Sequence, residues 1–265
     1  MSVDSNSNDK KISAQHVADI VLDIGTYLLA SGAHCGRVNR NLNRFSLTWG
    51  FETDISPSFK GLLVTIRDVN DEDNTITLYK SSPAHIVQLS VLTEVSHLSW
   101  KVKEENLTVD ETQKLFNNIK EKKSYNNIVI SIAVGLSCAG LCLFSKGDMN
   151  NALITMVAAF IGFHTRAKIA EMRFNPMLSI AMAAFLTTLI TGLGSIYEIG
   201  ENPEAAMATS VLYLIPGVPL INCVIDLIDG YLSSAINRAM FAGFILLCIA
   251  AGMTLCITLL GIGNF

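Results

Sequence analysis

The second half of the chain is a succession of long apolar segments, and these constrain the fold more than any other feature. Polar loops separate them between residues 127 and 261. A helix needs about 20 predominantly apolar residues to cross the hydrocarbon core of a bilayer. Half of the chain's residues are hydrophobic, and the mean hydropathy of +0.42 is typical of a membrane protein. We therefore predict five transmembrane helices, at about residues 127–145, 150–169, 176–196, 205–228 and 238–261.

The fourth of these segments is interrupted in its middle. Residues 211–229 read VLYLIPGVPLINCVIDLID, so the sequence Pro216-Gly217-Val218-Pro219 breaks an otherwise apolar run. Proline removes a backbone donor and clashes with the preceding helical turn. An unsatisfied backbone group in hydrocarbon is costly, so such a break persists where it lies within protein or lines a polar cavity. We predict a discontinuous helix whose freed backbone groups bind substrate; the alternative is a simple kink satisfied by neighbouring helices.

Two carboxylates and an amide follow the break. Asp226 lies about two turns after Pro219, and Asn222 is one turn before Asp226 on the same helix face. An ionisable group in or near a membrane span is a functional hypothesis, because its burial is expensive. Asp226 would bind an amino group or carry a proton. The alternative is that Asp226 and Asp229 lie in the membrane interface, where a charge costs little. The predicted substrate or coupling site is Pro216, Gly217, Pro219, Asn222, Asp226 and Asp229.

Loop charges predict how the chain is oriented in the membrane. Lysine and arginine gather in segments that must share one side, at Lys120, Lys122, Lys123, Arg166, Lys168, Arg173 and Arg238. The loops of the other side are acidic, with Glu198, Glu201 and Glu204 against Lys146 alone. Because positive loops stay in the cytoplasm, we predict a multi-pass protein of the inner or plasma membrane with its C-terminus outside. His164 and Arg166 either anchor the cytoplasmic side or form a vestibule for anions.

The first half of the chain is polar and predicts a small cytoplasmic α+β domain at residues 12–123, after a disordered tail at residues 1–11. Apolar residues recur at helical spacing on both sides of a β-rich stretch. The predicted helices cover residues 12–32, 35–49, 84–104 and 108–122, and the predicted strands are Phe51–Phe59, Leu62–Asp68 and Thr75–Tyr79. Thr108-Val-Asp-Glu111 is a capping-box pattern that opens the last helix. The predicted fold is this α+β domain followed by an all-α, five-helix transmembrane domain at residues 124–265.

Several motifs together resemble the threonine/serine exporter family of membrane transporters. LIPGVPLIN at residues 214–222, followed by DLIDG at residues 226–230, is similar to the signature of that family. LLASGA at residues 28–33, followed by Arg37-Val38, resembles its N-terminal motif. The order of an α+β domain and about five spans agrees as well. The resemblance covers roughly residues 12–262.

The resemblance implies a function and a partner. Family members export threonine and serine, and related split systems export succinate, so we expect a secondary exporter of a small polar metabolite, coupled to the proton gradient. Some members are longer chains with two membrane halves. The resemblance therefore implies a second small transmembrane subunit beside this one, and association of identical copies is left open. This chain has His34 where members often have an acidic residue, so the role of that carboxylate does not transfer.

Other classes of function find little support in the sequence. The net charge of -4 is mild and favours no nucleic-acid partner. The six cysteines show no CxxC or zinc-ligand spacing, and Glu94 with His97 lacks a third ligand nearby. No P-loop, HExxH or GxSxG motif is present, so we expect neither an enzyme nor a bound cofactor or metal. The alternative to an exporter is a membrane sensor or scaffold that works through its cytoplasmic α+β domain.

Overall fold

The computed structural model describes residues 12–58, 60–71, 73–84, 86–122, 125–172 and 175–262. The predictions for the tail at residues 1–11 and for Phe59, Lys123 and Arg173 lie outside the described residues. Contacts divide the chain into two compact units. Unit 1 contains the segment up to Lys122 together with Val218–Ala239, and unit 2 contains Lys123–Gly217 and Met240–Phe265.

Unit 1 begins with the predicted order of helix, helix, three strands, helix, helix. Its elements are α1 (Ala14–Ala30), α2 (Cys35–Thr48), β1 (Phe51–Ser58), β2 (Gly61–Asp68), β3 (Thr75–Ser81), α3 (Leu89–Glu105) and α4 (Val109–Glu121). The strands form an antiparallel sheet in the order β1-β2-β3. Each strand pairs with its sequence neighbour, because short connections favour hairpins.

The core of unit 1 forms where α1 lies on the middle strand. Leu62, Val64 and Ile66 alternate along β2 and are buried against the apolar face of α1. Gly25 permits this approach, because a Cβ at that position would overlap the side chain of Leu62. Phe45 of α2 closes the same core. The helical stripe read from the sequence is therefore the face that packs on the sheet.

The segment before α3 differs from the prediction. The spacing predicted helix from residue 84, but α3 begins at Leu89. The Ile86 N–H donates to the Ala30 carbonyl and the Gln88 N–H to the Ser31 carbonyl, both at 3.0 Å. These bonds satisfy carbonyl groups that the end of α1 leaves without intrahelical partners. The side chain of Ile86, which looked like part of an apolar stripe, is accordingly exposed.

Unit 2 contains most of the apolar helices. They are α5 (Asn127–Phe144), α6 (Met149–Glu171), α7 (Pro176–Ile196) and α8 (Pro203–Ser210), followed by a 3₁₀ turn (Leu212–Leu214). Then come α9 (Gly217–Ile228), which lies in unit 1 from Val218 onward, and α10 (Leu232–Leu260), which begins in unit 1 and ends in unit 2. Within the described residues, α5, α6, α7 and α10 are each long and apolar enough to cross a membrane, giving four spans.

The fourth predicted span is not one helix. The segment from α8 through the 3₁₀ turn and α9 would be a fifth span only as a broken one, with a bend of 64° at the break. The first three predicted spans match α5, α6 and α7 within two residues at each end. The fifth begins at Leu232 instead of residue 238. Gly230, at φ +85, provides the left-handed turn that ends α9 just before it.

One end of the unit 2 bundle gathers several helix termini. The Asn202 side chain donates to the Lys146 carbonyl at 2.7 Å, which joins the start of α8 to the end of α5. Gly200 approaches the side chains of Asp148 and Asn151 at the start of α6. Leu260, at the end of α10, packs beside Gly192 near the end of α7. The loops after α5 and α7 therefore lie at the same end of unit 2.

The capping box predicted for α4 is confirmed. The Thr108 N–H donates to Glu111 Oε2 at 2.9 Å, and the Glu111 N–H donates to Thr108 Oγ1 at 3.4 Å. Hydrogen bonding from the Thr108 backbone and hydroxyl lowers the pKa of Glu111, so the carboxylate is ionised at neutral pH.

Thr108→Ala should weaken the first turn of α4, because it removes the hydroxyl partner of the box. We expect a loss of about 1 kcal/mol, which hydrogen–deuterium exchange would report as roughly fivefold faster exchange of the first-turn amides. Thr93→Ala is the control, because the exposed Thr93 hydroxyl bonds only within its own helix, to Leu89. Equal exchange in the two variants would contradict the capping assignment.

Candidate functional site

The break in the fourth apolar segment is displaced from its predicted position. Ile215, with φ -62 and ψ 127, is extended after the 3₁₀ turn, and the Gly217 N–H donates to the Ile215 carbonyl at 2.9 Å. Helix α9 begins at Gly217, so Val218 and Pro219 already lie in its first turn. The prediction of an unwound segment at Pro216–Pro219 therefore holds for Pro216, which lies in the break, and is wrong for residues 217–219, which are helical. Proline fits a first helical turn because the amides there have no intrahelical partner.

Helix α9 has its polar side buried and its apolar side exposed. Asn222 and Asp226 are its buried residues, and they lie on one face one turn apart. The opposite face exposes large apolar side chains, at Ile221, Val224, Leu227 and Ile228. This arrangement is the reverse of an amphipathic helix on a soluble protein. The polar stripe predicted from the sequence is therefore a packing face within unit 1.

Asp226 makes the central contacts of this face. Its side chain is 0% exposed, and its Oδ1 accepts the Cys35 N–H, at the start of α2, at 2.7 Å. Its Oδ2 lies 2.9 Å from Nε of Arg238, whose side chain is 12% exposed. Among the described residues, Oδ2 receives no hydrogen bond of good geometry. The contact with Arg238 is therefore an ion pair whose carboxylate oxygen keeps hydrogen-bonding capacity.

Two backbone carbonyls of the loop between α1 and α2 accept hydrogen bonds from the side chains of Asn222 and Arg238. Asn222 Nδ2 donates to the Gly32 carbonyl and Arg238 Nη2 to the Ala33 carbonyl, both at 2.8 Å. Gly32 has φ +96, a left-handed conformation in which its Cβ-free backbone also packs against Val218. We call Asn222, Asp226, Arg238 and the loop of residues 32–35 the Asp226 cluster. It joins parts of the sequence about 190 residues apart within unit 1.

His34 and Asp229 meet at the edge of the cluster. Nδ1 of His34 accepts the Arg37 N–H at 3.3 Å and lies 3.7 Å from Asp229 Oδ2. Burial, followed by the nearby Arg40 charge, lowers the pKa of His34, so the imidazole is neutral at neutral pH. A carboxylate at position 34 would repel Asp229, which a neutral imidazole does not. Burial also raises the pKa of Cys35 to about 11, so its thiol stays protonated.

A second polar group lies among the helices of unit 2. The hydroxyls of Thr187 and Tyr213 are 3.1 Å apart. Gly162 makes room for them, because a Cβ there would overlap both oxygens. Arg166 follows Gly162 by one turn on the same face of α6 and interacts electrostatically with Tyr213. No carboxylate of the residues described here lies within 4.0 Å of the Arg166 guanidinium.

Tyr213 and Arg166 thus stand together in unit 2, and we call Gly162, Arg166, Thr187 and Tyr213 the Tyr213 cluster. Tyr213 also lines a cavity of about 460 Å³ against α5. His164, the other residue of the predicted vestibule, stacks on Phe160 with ring centroids 6.3 Å apart. Its buried Nδ1 makes no hydrogen bond within the described part of the chain.

Comparison with known proteins decides the family. A family model described as "Putative threonine/serine exporter" matches residues 19–260. The chain belongs to the threonine/serine exporter family. This confirms the resemblance drawn from the proline-glycine-proline motif and the N-terminal motif. Together with the apolar helices, it identifies a membrane transporter.

Relatives with full-length similarity are named as transporter subunits. The protein named "Probable succinate transporter subunit YjjP" from Klebsiella aerogenes is 27% identical, over 95% of this chain and 97% of the relative. Its namesake from Escherichia coli strain K12 is also 27% identical, over 93% and 95%. No solved structure matches this member of the exporter family.

The sequence alone indicated only some of the residues in the Asp226 cluster and in the Tyr213 cluster. It singled out Asn222 and Asp226 but treated Arg238 as a topology marker. It singled out Arg166 but not Thr187 or Tyr213, for which the only signal was a hydroxyl in an apolar run. Within the described residues, no three histidine, cysteine, aspartate or glutamate side chains converge as a metal site requires.

Gly36→Ala should destabilise unit 1, because the added Cβ would overlap the Asp229 carboxylate. The Asp229 side chain is about one-third exposed and can turn aside, so the cost should lie at the lower end of the overpacking range, about 1 kcal/mol, and the midpoint of thermal unfolding of the purified protein should fall. Gly243→Ala is the control, since its Cβ meets nothing within 4 Å and alanine favours a helix. Adding Asp229→Ala to Gly36→Ala should recover much of the loss. No recovery would mean that Gly36 serves another contact.

Proposed function

We propose that this chain is one subunit of a proton-coupled secondary exporter that moves small carboxylate-bearing metabolites out of the cell. The observation that carries the proposal is the buried Asp226–Arg238 pair, which follows a broken apolar segment in a chain of an exporter family. Burying two charges is expensive even when they pair. A buried charge pair at this position therefore supports a role that apolar side chains could not fill, namely binding a proton and an anion.

The pair supports an exchange of partners on Arg238. Asp226 Oδ2 retains hydrogen-bonding capacity, so a proton can be added there while Oδ1 keeps the Cys35 N–H. A protonated Asp226 is neutral and releases the Arg238 guanidinium, which suits a carboxylate ligand. The substrate carboxylate then replaces Asp226 as the counterion, and its departure favours the original pair. The Asp226 carboxylate and the substrate carboxylate thus alternate as the partner of Arg238, and Asp226 holds a proton while the substrate is bound.

Each cluster, taken by itself, contains an arginine that supports a substrate with carboxylate groups. Arg238 and Arg166 each suit a carboxylate, and Arg166 has no carboxylate partner within the described residues. Threonine and serine carry one carboxylate and an ammonium group, whereas succinate carries two carboxylates. The names of the two relatives favour a dicarboxylate such as succinate. The Asn222 amide would donate a hydrogen bond to a carboxylate of either substrate, whereas Asp229 would accept one only from the ammonium or hydroxyl group of threonine or serine.

A second small transmembrane subunit completes the proposed exporter. Two relatives that this chain matches over nearly their whole length are named as subunits. Helix α5 exposes a row of large apolar side chains, at Ile128, Val129, Ile132 and Leu136. Such a face suits lipid or another membrane helix.

The proposed topology places the N-terminal domain in the cytoplasm and the C-terminus outside. The acidic loop after α7 and the loop containing Lys146 lie at one end of unit 2, near the end of α10. The start of α10 contacts the domain of unit 1, where Ser234 donates to the Pro57 carbonyl at 3.0 Å. Counting the broken segment as a crossing gives five spans and agrees with the positive-inside rule.

Cysteine labelling in intact cells tests this topology. Glu201→Cys should react with an impermeant thiol reagent, and Glu121→Cys should react only after permeabilisation. Both positions are exposed, whereas a cysteine at residue 200 would strain a left-handed glycine. If residue 201 were protected and residue 121 were labelled in intact cells, the protein would have the opposite orientation in the membrane.

Efflux of labelled succinate and threonine, measured in cells that express the chain with its partner, tests the mechanism. Asp226→Asn keeps the shape, removes the charge, and should reduce export at least tenfold, because the uncompensated Arg238 no longer releases its ligand. Asp229→Asn should have a milder effect, since Asp229 is about one-third exposed. Membrane levels of each variant must match the wild type. Normal efflux by Asp226→Asn at those levels would remove Asp226 from the mechanism.

A further inference from the structure

We propose that a basic groove between α2 and α3 of unit 1 binds a phosphate group. The groove encloses about 650 Å³ and is lined by Arg40, Arg44, Trp100 and Lys103, among other polar residues. It shares no residue with the Asp226 cluster. The proposal therefore does not rest on the exporter mechanism and would stand if that mechanism failed.

Arg44 is held in place before any ligand arrives. Its guanidinium carbon lies 3.9 Å from the centroid of the Trp100 ring, in a cation–π contact. Its Nη1 donates to Ser99 Oγ at 2.5 Å, and the buried Ser99 hydroxyl donates to Asn41 Oδ1 at 2.9 Å. A guanidinium has five N–H donors, so most remain free for a ligand. An arginine fixed in this way loses little entropy on binding an anion.

The charges around the groove are not balanced by the chain. Among the residues that the structure describes, no carboxylate lies within 4.0 Å of Arg40, Arg44 or Lys103. Arg40 Nη1 and the Asp229 carboxylate both lie beside Gly36, but they form no ion pair within 4.0 Å among the described contacts. Burial, and then the nearby Arg40 charge, lowers the pKa of Arg44. An anion in the groove would relieve this repulsion among like charges.

The number of cations favours phosphate over a single carboxylate. A phosphate monoester carries about -1.5 to -2 charges and three acceptor oxygens at neutral pH. Two guanidiniums and an ammonium carry enough positive charge to neutralise this anion, and they have donors for all three of its acceptor oxygens. The same chemistry is found in the headgroup of an anionic lipid and in a soluble phosphorylated metabolite. The cavity is larger than inorganic phosphate needs, so it accommodates either source.

Isothermal titration of the purified full chain in phosphatidylcholine nanodiscs tests the site with pyrophosphate as the probe. We expect saturable binding that Lys103→Gln and Arg44→Gln each weaken about tenfold. Lys101→Gln is the matched control, because Lys101 lies on the same helix but pairs with Glu105 outside the groove. Should Arg44→Gln fail to fold, Lys103→Gln decides alone, since its ammonium supports no other described contact than Trp100.

Nanodiscs that contain phosphatidylglycerol show whether the phosphate group belongs to an anionic lipid or to a soluble metabolite. A lipid ligand would weaken pyrophosphate binding in these discs and would slow the acetylation of Lys103 relative to Lys101. A soluble ligand would leave both unchanged. Either of two results would overturn the proposal. The first is that pyrophosphate shows no saturable binding and Lys103 is acetylated equally fast in both lipids. The second is that pyrophosphate binds but Lys103→Gln does not weaken its binding. Equal affinity for malonate would overturn the preference for phosphate.

Discussion

The buried ion pair between Asp226 and Arg238 is the interaction on which the rest of the candidate site depends. Two charges at this degree of burial need compensation beyond their own pairing, and the α1–α2 loop supplies part of it. The loop gives Asp226 a backbone N–H and gives Arg238 a backbone carbonyl. These demands turn the polar face of α9 inward and leave its apolar face exposed. They also explain why residues 218–239 belong to the same compact unit as the N-terminal domain.

Some charged groups of this chain are already paired, as Asp226 and Arg238 are, whereas Arg166 has no described carboxylate partner. We assign the two kinds different roles in the proposed exporter. In the Asp226 cluster the charges neutralise one another, so a proton or a substrate has to displace an existing partner. In the Tyr213 cluster, Arg166 interacts with Tyr213 and has no ion-pair partner among the described carboxylates. The proposed exporter uses both kinds of site: one that changes with protonation and one that attracts the anion.

Local features of the fold could be predicted from the sequence, whereas distant pairings could not. The capping box at Thr108 and Glu111 involves residues three positions apart, so its pattern was sufficient. Asp226 was recognisable because a carboxylate in an apolar run is costly. Its partners were not, because Cys35 is 191 residues away and Arg238 resembles any positive residue at a membrane boundary. The extended segment at Ile86 was misjudged for the same reason, since its hydrogen bonds go to the end of α1. The domain boundaries and the functional roles of the site residues stay predictions.

A variant with both Asp226→Asn and Arg238→Gln tests the central claim most directly. It removes the two charges together, so neither remains buried without compensation, and the fold should be preserved better than in either single variant. Reconstituted with its partner subunit, the double variant should be inserted normally but should lose the export that an imposed pH gradient drives, because it lacks both the carboxylate that takes the proton and the cation that binds the substrate. If it exported with the pH dependence of the wild type, the pair would be only a structural contact, and proton coupling would lie elsewhere.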